Sequence, residues 1–115
     1  MPNPDLPAYL RLRDELIAAI LDGRHPSGAA LPSVRGLAAS HGVNPLTVAK
    51  AYQTLQDDGV VVVRRGVGMF VAEGAAERLR HDERTTFLTE TWPPIARRIR
   101  MLGLDPATLL AAERA

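Results

Sequence analysis

The segment SVRGLAASHGVNPLTVAKAY, Ser33 to Tyr52, holds two helix starts with a helix stop between them. Ser33 carries a short hydroxyl that can accept a hydrogen bond from a free N–H of a first helical turn. Gly42 can take the left-handed conformation that closes a helix. Asn44 offers the second cap, and Pro45 at the first helical position gives up no hydrogen bond and presets φ. Only Val43 separates the stop from the next start, and it is placed to anchor the turn. A chain written this way must turn sharply after about two turns of helix. Val34, Leu37 and Ala38 make a short apolar stripe on the first helix. Val48, Ala51, Tyr52 and Leu55 recur at i, i+3, i+4 and i+7 on the second. Helices joined this way pack across one another, and the second projects its N-terminus from the body.

The flanking segments complete the pattern. A proline-rich stretch, Asn3 to Pro7, reads as an extended lead-in. Tyr9, Leu12, Leu16, Ile17, Ile20 and Leu21 then share a helical face that ends at Asp22-Gly23. GRHPSGAALP is a loop. Beyond Asp57-Asp58-Gly59, the β-branched run Val60 to Val63 favours a strand. Arg64-Arg65-Gly66-Val67-Gly68 is a turn, and Met69 to Ala72 is the return strand of a hairpin. The order of helix, short helix, turn, helix and hairpin is that of a winged helix-turn-helix.

After Gly74 the chain becomes a charged helix. Leu88, Trp92, Ile95, Ile99 and Leu102 fall at alternating spacings of four and three, which is a helix–helix seam suited to dimerisation. Pro93-Pro94 interrupts it. An interior proline costs about 3 kcal/mol, so a kink or a restart is expected there. Gly103 closes this segment, and Asp105-Pro106 opens a last short helix, ATLLAAERA. The expected fold is therefore mainly α with a small β-hairpin. A winged helix-turn-helix occupies residues 1–73, and a helical dimerisation segment occupies residues 74–115.

Composition removes several classes of function. With no cysteine, disulfides, cysteine–zinc sites and thiol catalysis are excluded, and a reducing, cytoplasmic compartment is expected. No apolar run approaches the roughly 20 residues of a membrane span, and no signal-peptide pattern opens the chain. His25, His41 and His81 are scattered, so no metal site is expected. There are no paired carboxylates in register and no nucleophile beside a base. The glycines of RRGVG lie between strands instead of opening a helix, unlike a phosphate loop. Neither an enzyme nor a cofactor is expected.

Charge distribution says more than the net charge of +1. From Gly23 through Gln56 there is no acid, while Arg24, Arg35 and Lys50 are present. Gly59 through Ala72 is again acid-free and holds Arg64 and Arg65. On the second helix of the turn, Leu46, Lys50 and Gln53 face away from the apolar stripe, with Thr47 and Ala49 beside them. An acid on that surface would repel phosphate.

These segments, LPSVRGLAASHGVNPLTVAKAYQTLQDDGVV and RRGVGMFV, resemble the DNA-binding domain of GntR-type transcriptional regulators over roughly Pro7 to Val71. The NP-x-TV-x-KAY stretch and the short tail are similar to the YtrA subfamily. The resemblance implies a homodimer on double-stranded DNA, with a short helical dimerisation segment and no large ligand-binding domain. It makes Arg35 a DNA contact, to a phosphate or to the O6 and N7 of a guanine. Ser33 caps its helix and is placed to touch a phosphate. Asn44, Pro45, Leu46 and Thr47 form the tip of the recognition helix, and Pro45 and Leu46 suit thymine methyls. Lys50 suits a phosphate as a point charge. Arg64, Arg65 and Gly66 form a wing tip directed at the minor groove. Some GntR branches place an arginine where this chain has Pro45, which moves the weight of base reading to Arg35 and DNA shape. The function expected is a sequence-specific regulator, a repressor binding an inverted-repeat operator. The competing expectation is a winged-helix module that docks a protein, for which the outer face of the recognition helix offers Leu46 alone. A small-molecule effector is unidentified; its place would be between the dimer helices, and the alternative is regulation by another protein.

Overall fold

The computed structural model describes residues 5–113. Part of the proline-rich lead-in, and the last two residues of the ATLLAAERA segment, lie outside them. Three helices, α1 (Ala8–Leu21), α2 (Val34–His41) and α3 (Pro45–Asp57), precede an antiparallel hairpin of β1 (Val61–Arg64) and β2 (Gly68–Val71). Then come α4 (Ala75–Thr86), a π-helical turn (Phe87–Thr91), α5 (Trp92–Met101) and α6 (Pro106–Glu113). No described helix is long and apolar enough to cross a membrane. The chain divides into two compact units, one ending at Arg80 and the other beginning at His81.

The first unit is built around the inner stripe of α3. Val48, Ala51 and Leu55 are fully buried, with Tyr52 beside them. Leu12, Leu16 and Ile20 of α1 pack on this stripe, as do Leu37 and Ala38 of α2. Val60, Val61 and Val71 bring in the hairpin, and Ala75 brings in the start of α4. Each fully buried aliphatic side chain contributes about 1.5–3 kcal/mol, so α3 is the most firmly held element.

The caps expected between Ser33 and Asn44 form. Ser33 Oγ accepts from the Gly36 N–H at 3.0 Å, and Gly42 closes α2 with φ of 63°. Asn44 Oδ1 accepts from the Leu46 N–H at 2.8 Å, with Pro45 in the first turn. Two arginines of α4 close other loose ends. Arg78 donates to the Gly59 carbonyl at 2.7 Å, and Arg80 donates to the carbonyl of Leu21, the last residue of α1, at 3.2 Å. Both acceptors follow or end a helix, where carbonyls lack intrahelical partners.

The second unit has no buried residue among those described. Its backbone passes Pro93-Pro94 without leaving the helical region: Thr86, Thr91 and Trp92 all keep right-handed helical dihedrals. The expected interruption takes the form of a π turn ahead of α5, which restarts with proline in its first turn, and the reason is chemical. Proline has no N–H, so the carbonyls four residues before Pro93 and Pro94 receive no ordinary helical bond. The turn widens, and the Trp92 N–H bonds to the Phe87 carbonyl, five residues back. Thr89 Oγ1 donates to the Thr85 carbonyl at 2.9 Å within the same turn. Asp105 opens α6 by accepting from the Ala107 N–H and the Thr108 hydroxyl.

Candidate nucleic-acid interface

The residues expected to read DNA stand on three supports. Ser33 and Arg35 begin α2, Asn44 to Lys50 begin α3, and Arg64 to Gly66 lie at the hairpin end. The supports are tied to one another near the candidate surface. Tyr52, on the inner face of α3, donates its hydroxyl to the Pro32 carbonyl at 2.6 Å. That bond holds the chain one residue before the α2 cap, and so fixes where α2 starts relative to α3. Burial pushes the Tyr52 phenol up to about 12, so it stays a donor.

The hairpin is fastened to the same strip of chain. Val71 accepts from the Gly28 N–H and donates to the Ala29 carbonyl, and Leu31 donates to the Met69 carbonyl. Ala30 forms a β-bridge with Phe70. Residues 28–31 thus act as a third, short edge strand leading straight into Pro32 and Ser33. Two-stranded hairpins are marginal alone, and this extra edge braces the wing. The wing tip is closed by the Val67 N–H donating to the Arg64 carbonyl at 2.9 Å, with Gly66 at φ 76°. An L side chain at that φ would be strained.

The cationic side chains differ in freedom. Arg35 and Arg65 are exposed and have no hydrogen-bond or ion-pair partner among the described residues. Lys50 extends its Nζ over the Tyr9 ring, 5.9 Å from the centroid. Arg64 stacks its guanidinium over Phe70 at 4.5 Å. Both distances are within cation–π range, which restrains the charge without neutralising it. Gln53, on the outer face of α3, donates to Asp57 at 2.8 Å, so its amide nitrogen is already engaged. Asn44 has its oxygen occupied by the cap. The outer face therefore presents Leu46 at 60% exposure, half-buried Thr47, and Lys50. The wing adds exposed apolar groups, Val62, Val63 and Val67.

Sequence reasoning missed Tyr9, the Tyr52 hydroxyl, Phe70 and the 28–31 edge. Three of them act over long sequence separations and Phe70 acts across the hairpin, and only the buried character of Tyr52 and the position of Tyr9 on the α1 face were visible beforehand. On the second unit, Trp92, Ile95 and Leu102 are exposed, as is Leu88, and Ile99 is half-buried. Phe87, absent from the expected seam, stacks on Trp92 with ring centroids 6.3 Å apart. Among the described residues no cluster of three or more His, Asp and Glu could hold a metal ion.

Comparison with known proteins agrees with this architecture. The family described as "Bacterial regulatory proteins, gntR family" matches residues 8–71. An uncharacterised HTH-type transcriptional regulator of Bacillus subtilis, YhcF, is 30% identical over 104 residues, covering 90% of this chain and 84% of that protein. The HTH-type transcriptional repressor YtrA of the same organism is 34% identical over 84 residues, 73% of this chain and 65% of that one. The solved structure of a GntR family transcriptional regulator from Listeria monocytogenes superposes with a TM-score of 0.76 at 27% identity, covering 97% of this chain and 96% of that chain. The DNA-binding domain of AraR, solved in complex with operator ORR3, has a TM-score of 0.56 at 30% identity, covering 58% of this chain and 81% of that chain. Its relatives are regulators rather than enzymes. The chain, with its braced winged helix-turn-helix and its similarity to YtrA over 84 residues, belongs to the GntR family of bacterial regulatory proteins.

Proposed function

We propose that this protein is a sequence-specific, cytoplasmic DNA-binding repressor that acts as a homodimer on an inverted-repeat operator. The observation that carries the reading is the pair of exposed guanidiniums, Arg35 on α2 and Arg65 on the wing, without partners among the described residues, together with an α3 outer face that bears no acid before Asp57. Helix N-termini, free N–H groups and mobile cations together suit phosphate oxygens. The AraR domain, similar in fold, is bound to its operator in the solved complex, which supports the same use here. Repression is supported by the printed role of YtrA.

In this reading α3 positions the protein through Asn44, Pro45, Leu46 and Thr47 at its tip, with Lys50 on a phosphate. Arg35 reads a base edge near the start of α2. Arg65 enters the minor groove, and Arg64, stacked on Phe70, stays at the groove edge with Gly66 forming the tight tip. The exposed face of Phe87, Trp92, Ile95 and Leu102 supports the dimer, because apolar side chains of this size rarely stay in water as a stripe. A winged-helix module for protein docking is the second reading, favoured by the exposed Leu46, Val63 and Val67.

Selection of bound DNA from a random pool, followed by gel-shift salt titration, tests both readings. Arg35→Ala is expected to cost about 1–3 kcal/mol and to relax preference at one base pair of each half-site. Lys50→Ala should weaken all sequences alike and lower the salt slope by about one unit per subunit. Retention of full affinity by both variants would place the reading surface elsewhere.

A further inference from the structure

A cleft of about 310 Å³ opens in the first unit between α1, the loop after it and α2. α1 and α2 each pack on α3 but hardly on each other, which leaves this gap. Its floor is apolar, made by the buried Leu12 and Leu16 of α1 and Leu37 of α2. Its rim is polar. Glu15 supplies a carboxylate, and His41 Nε2 stands 3.9 Å from Glu15 Oε2. Arg24 and His25 line the rim from the loop, where the His25 N–H donates to the Ala19 carbonyl at 3.2 Å, one turn beyond Glu15. Arg24 Nε donates to Asp22 at 2.8 Å, and no hydrogen bond among the described residues engages its two terminal nitrogens. None of these four rim side chains has a place on the candidate DNA surface.

An empty packing defect is apolar throughout, whereas an apolar floor under a few convergent polar groups is the chemistry of a ligand site. A volume of about 310 Å³ is at the small end of such sites. The rim selects the ligand. One guanidinium and two imidazoles present N–H groups, and the charge of Glu15 is already faced by His41. A carboxylate matches the guanidinium fork with two hydrogen bonds, and a hydrocarbon body covers the leucine floor. An ammonium would meet Arg24 with like charge, and a neutral alcohol would leave the fork unmatched. We propose that this cleft binds a small aliphatic carboxylate, its head on Arg24 and His25 and its chain over Leu16 and Leu37. Occupancy also regulates. α2 has eight residues, a length of about 12 Å, with His41 at its end and Arg35 near its start. A chain seated between α1 and α2 displaces His41 from Glu15, and a helix this short moves Arg35 with it. The regulation rests on the DNA reading above, and it places an effector in the head rather than between the helices of the tail.

Hexanoate is the probe, with hexanol and hexylammonium as controls of equal chain length. Each is titrated into the full isotope-labelled chain and followed by NMR, through the amide signals and the imidazole signals of His25 and His41. Hexanoate should saturate, with shifts confined to α1, residues 24–25 and α2. Both controls should bind about tenfold more weakly or worse, the difference made by a hydrogen-bonded charge. Arg24→Gln, at an exposed position, should cost hexanoate a similar factor. Ala18→Trp, from an exposed position of α1 that lines the cleft, should fill it and abolish binding without touching the buried core. Equal binding of hexanol, shifts that never saturate, or full hexanoate affinity in Ala18→Trp overturns the site. No DNA enters this titration, so its failure leaves the DNA reading standing. The regulation is tested by gel shift on the selected operator. Saturating hexanoate should weaken wild-type binding about fivefold or more and leave Ala18→Trp unchanged. Unchanged operator affinity of the hexanoate-saturated wild type overturns the regulation. A hexanoate-free chain that selects no DNA sequence overturns the DNA reading, and the regulation with it.

Discussion

Tyr52 works at two ends of one side chain. Its ring belongs to the buried core, and its hydroxyl donates to the Pro32 carbonyl just before α2 begins. Tyr52→Phe keeps the ring and removes the bond, leaving a carbonyl without its partner. A loss of about 0.5–1.5 kcal/mol in urea unfolding is expected, the net contribution of one neutral hydrogen bond. The pH dependence gives a sharper signature. Burial raises the folded-state phenol from 10.0 to about 12, so the unfolded chain loses this proton first. The folded state therefore holds the proton where the unfolded state has released it. The contribution of Tyr52 is fully present below pH 10 and is lost as pH rises from 10 towards 12. Melts at pH 9 and pH 11 should show the gap between wild type and Tyr52→Phe narrowing at the higher pH. A gap unchanged between the two would mean that the phenol is not held by burial and by Pro32. The same variant should weaken DNA binding several-fold through Arg35, because the start of α2 loses its tie to α3.

At the scale of elements, the local signals were legible and the long-range ones were not. Ser33, Gly42, Asn44 and Pro45 act within four residues of themselves, and the caps they imply are those the structure has. The Arg64–Gly68 turn is local in the same sense, although the return strand starts at Gly68 rather than Met69. By contrast, the 28–31 edge has loop composition, and only pairing with β2 gives it strand character. The residues of the candidate surface were legible in the sequence, but the contacts that restrain Lys50 and Arg64 join residues from other elements. The seam shows the limit of periodicity most plainly. Counting in fours and threes assumes one constant helical pitch, and it chose Leu88 as the partner of Trp92. The missing N–H groups of Pro93 and Pro94 alter the pitch, and Phe87 takes the position stacked on Trp92 instead. This predicts a reversal. In the wild-type background Phe87→Ala should weaken dimerisation more than Leu88→Ala, by about tenfold or more. With Pro93→Ala and Pro94→Ala added, a regular helix restores the ordinary pitch, and Leu88→Ala should become the more damaging change. Sedimentation equilibrium of the four chains checks this, and an unchanged rank order would show that the π turn does not set the seam.

For the whole molecule, the reading head is small, and the consequence is a demand for two copies. One unit offers Arg35, Arg65 and Lys50 as its main cations, with few groups able to discriminate bases. A single half-site contact set of this size gives weak, salt-sensitive binding. Joining two heads makes the second contact intramolecular and can raise apparent affinity by about 10²–10⁴ without any new group. Specificity then depends on the spacing of half-sites as well as on their sequence, because two recognition helices related by a two-fold axis meet the major groove about one helical turn apart. A chain carrying Trp92→Asp and Ile95→Asp should be folded in its first unit, whose core contains neither residue, yet monomeric. On an intact operator it should bind about 10²-fold or more weakly than wild type, with a salt slope roughly half as steep. Scrambling one half-site should cost the wild type a similar factor and leave the monomeric chain nearly unaffected. Isotherms of both chains on both operators, taken across a salt series, separate the contributions of head and dimer. Equal losses for the two chains on the scrambled operator would mean that each copy reads DNA alone, and that the tail joins copies for another purpose.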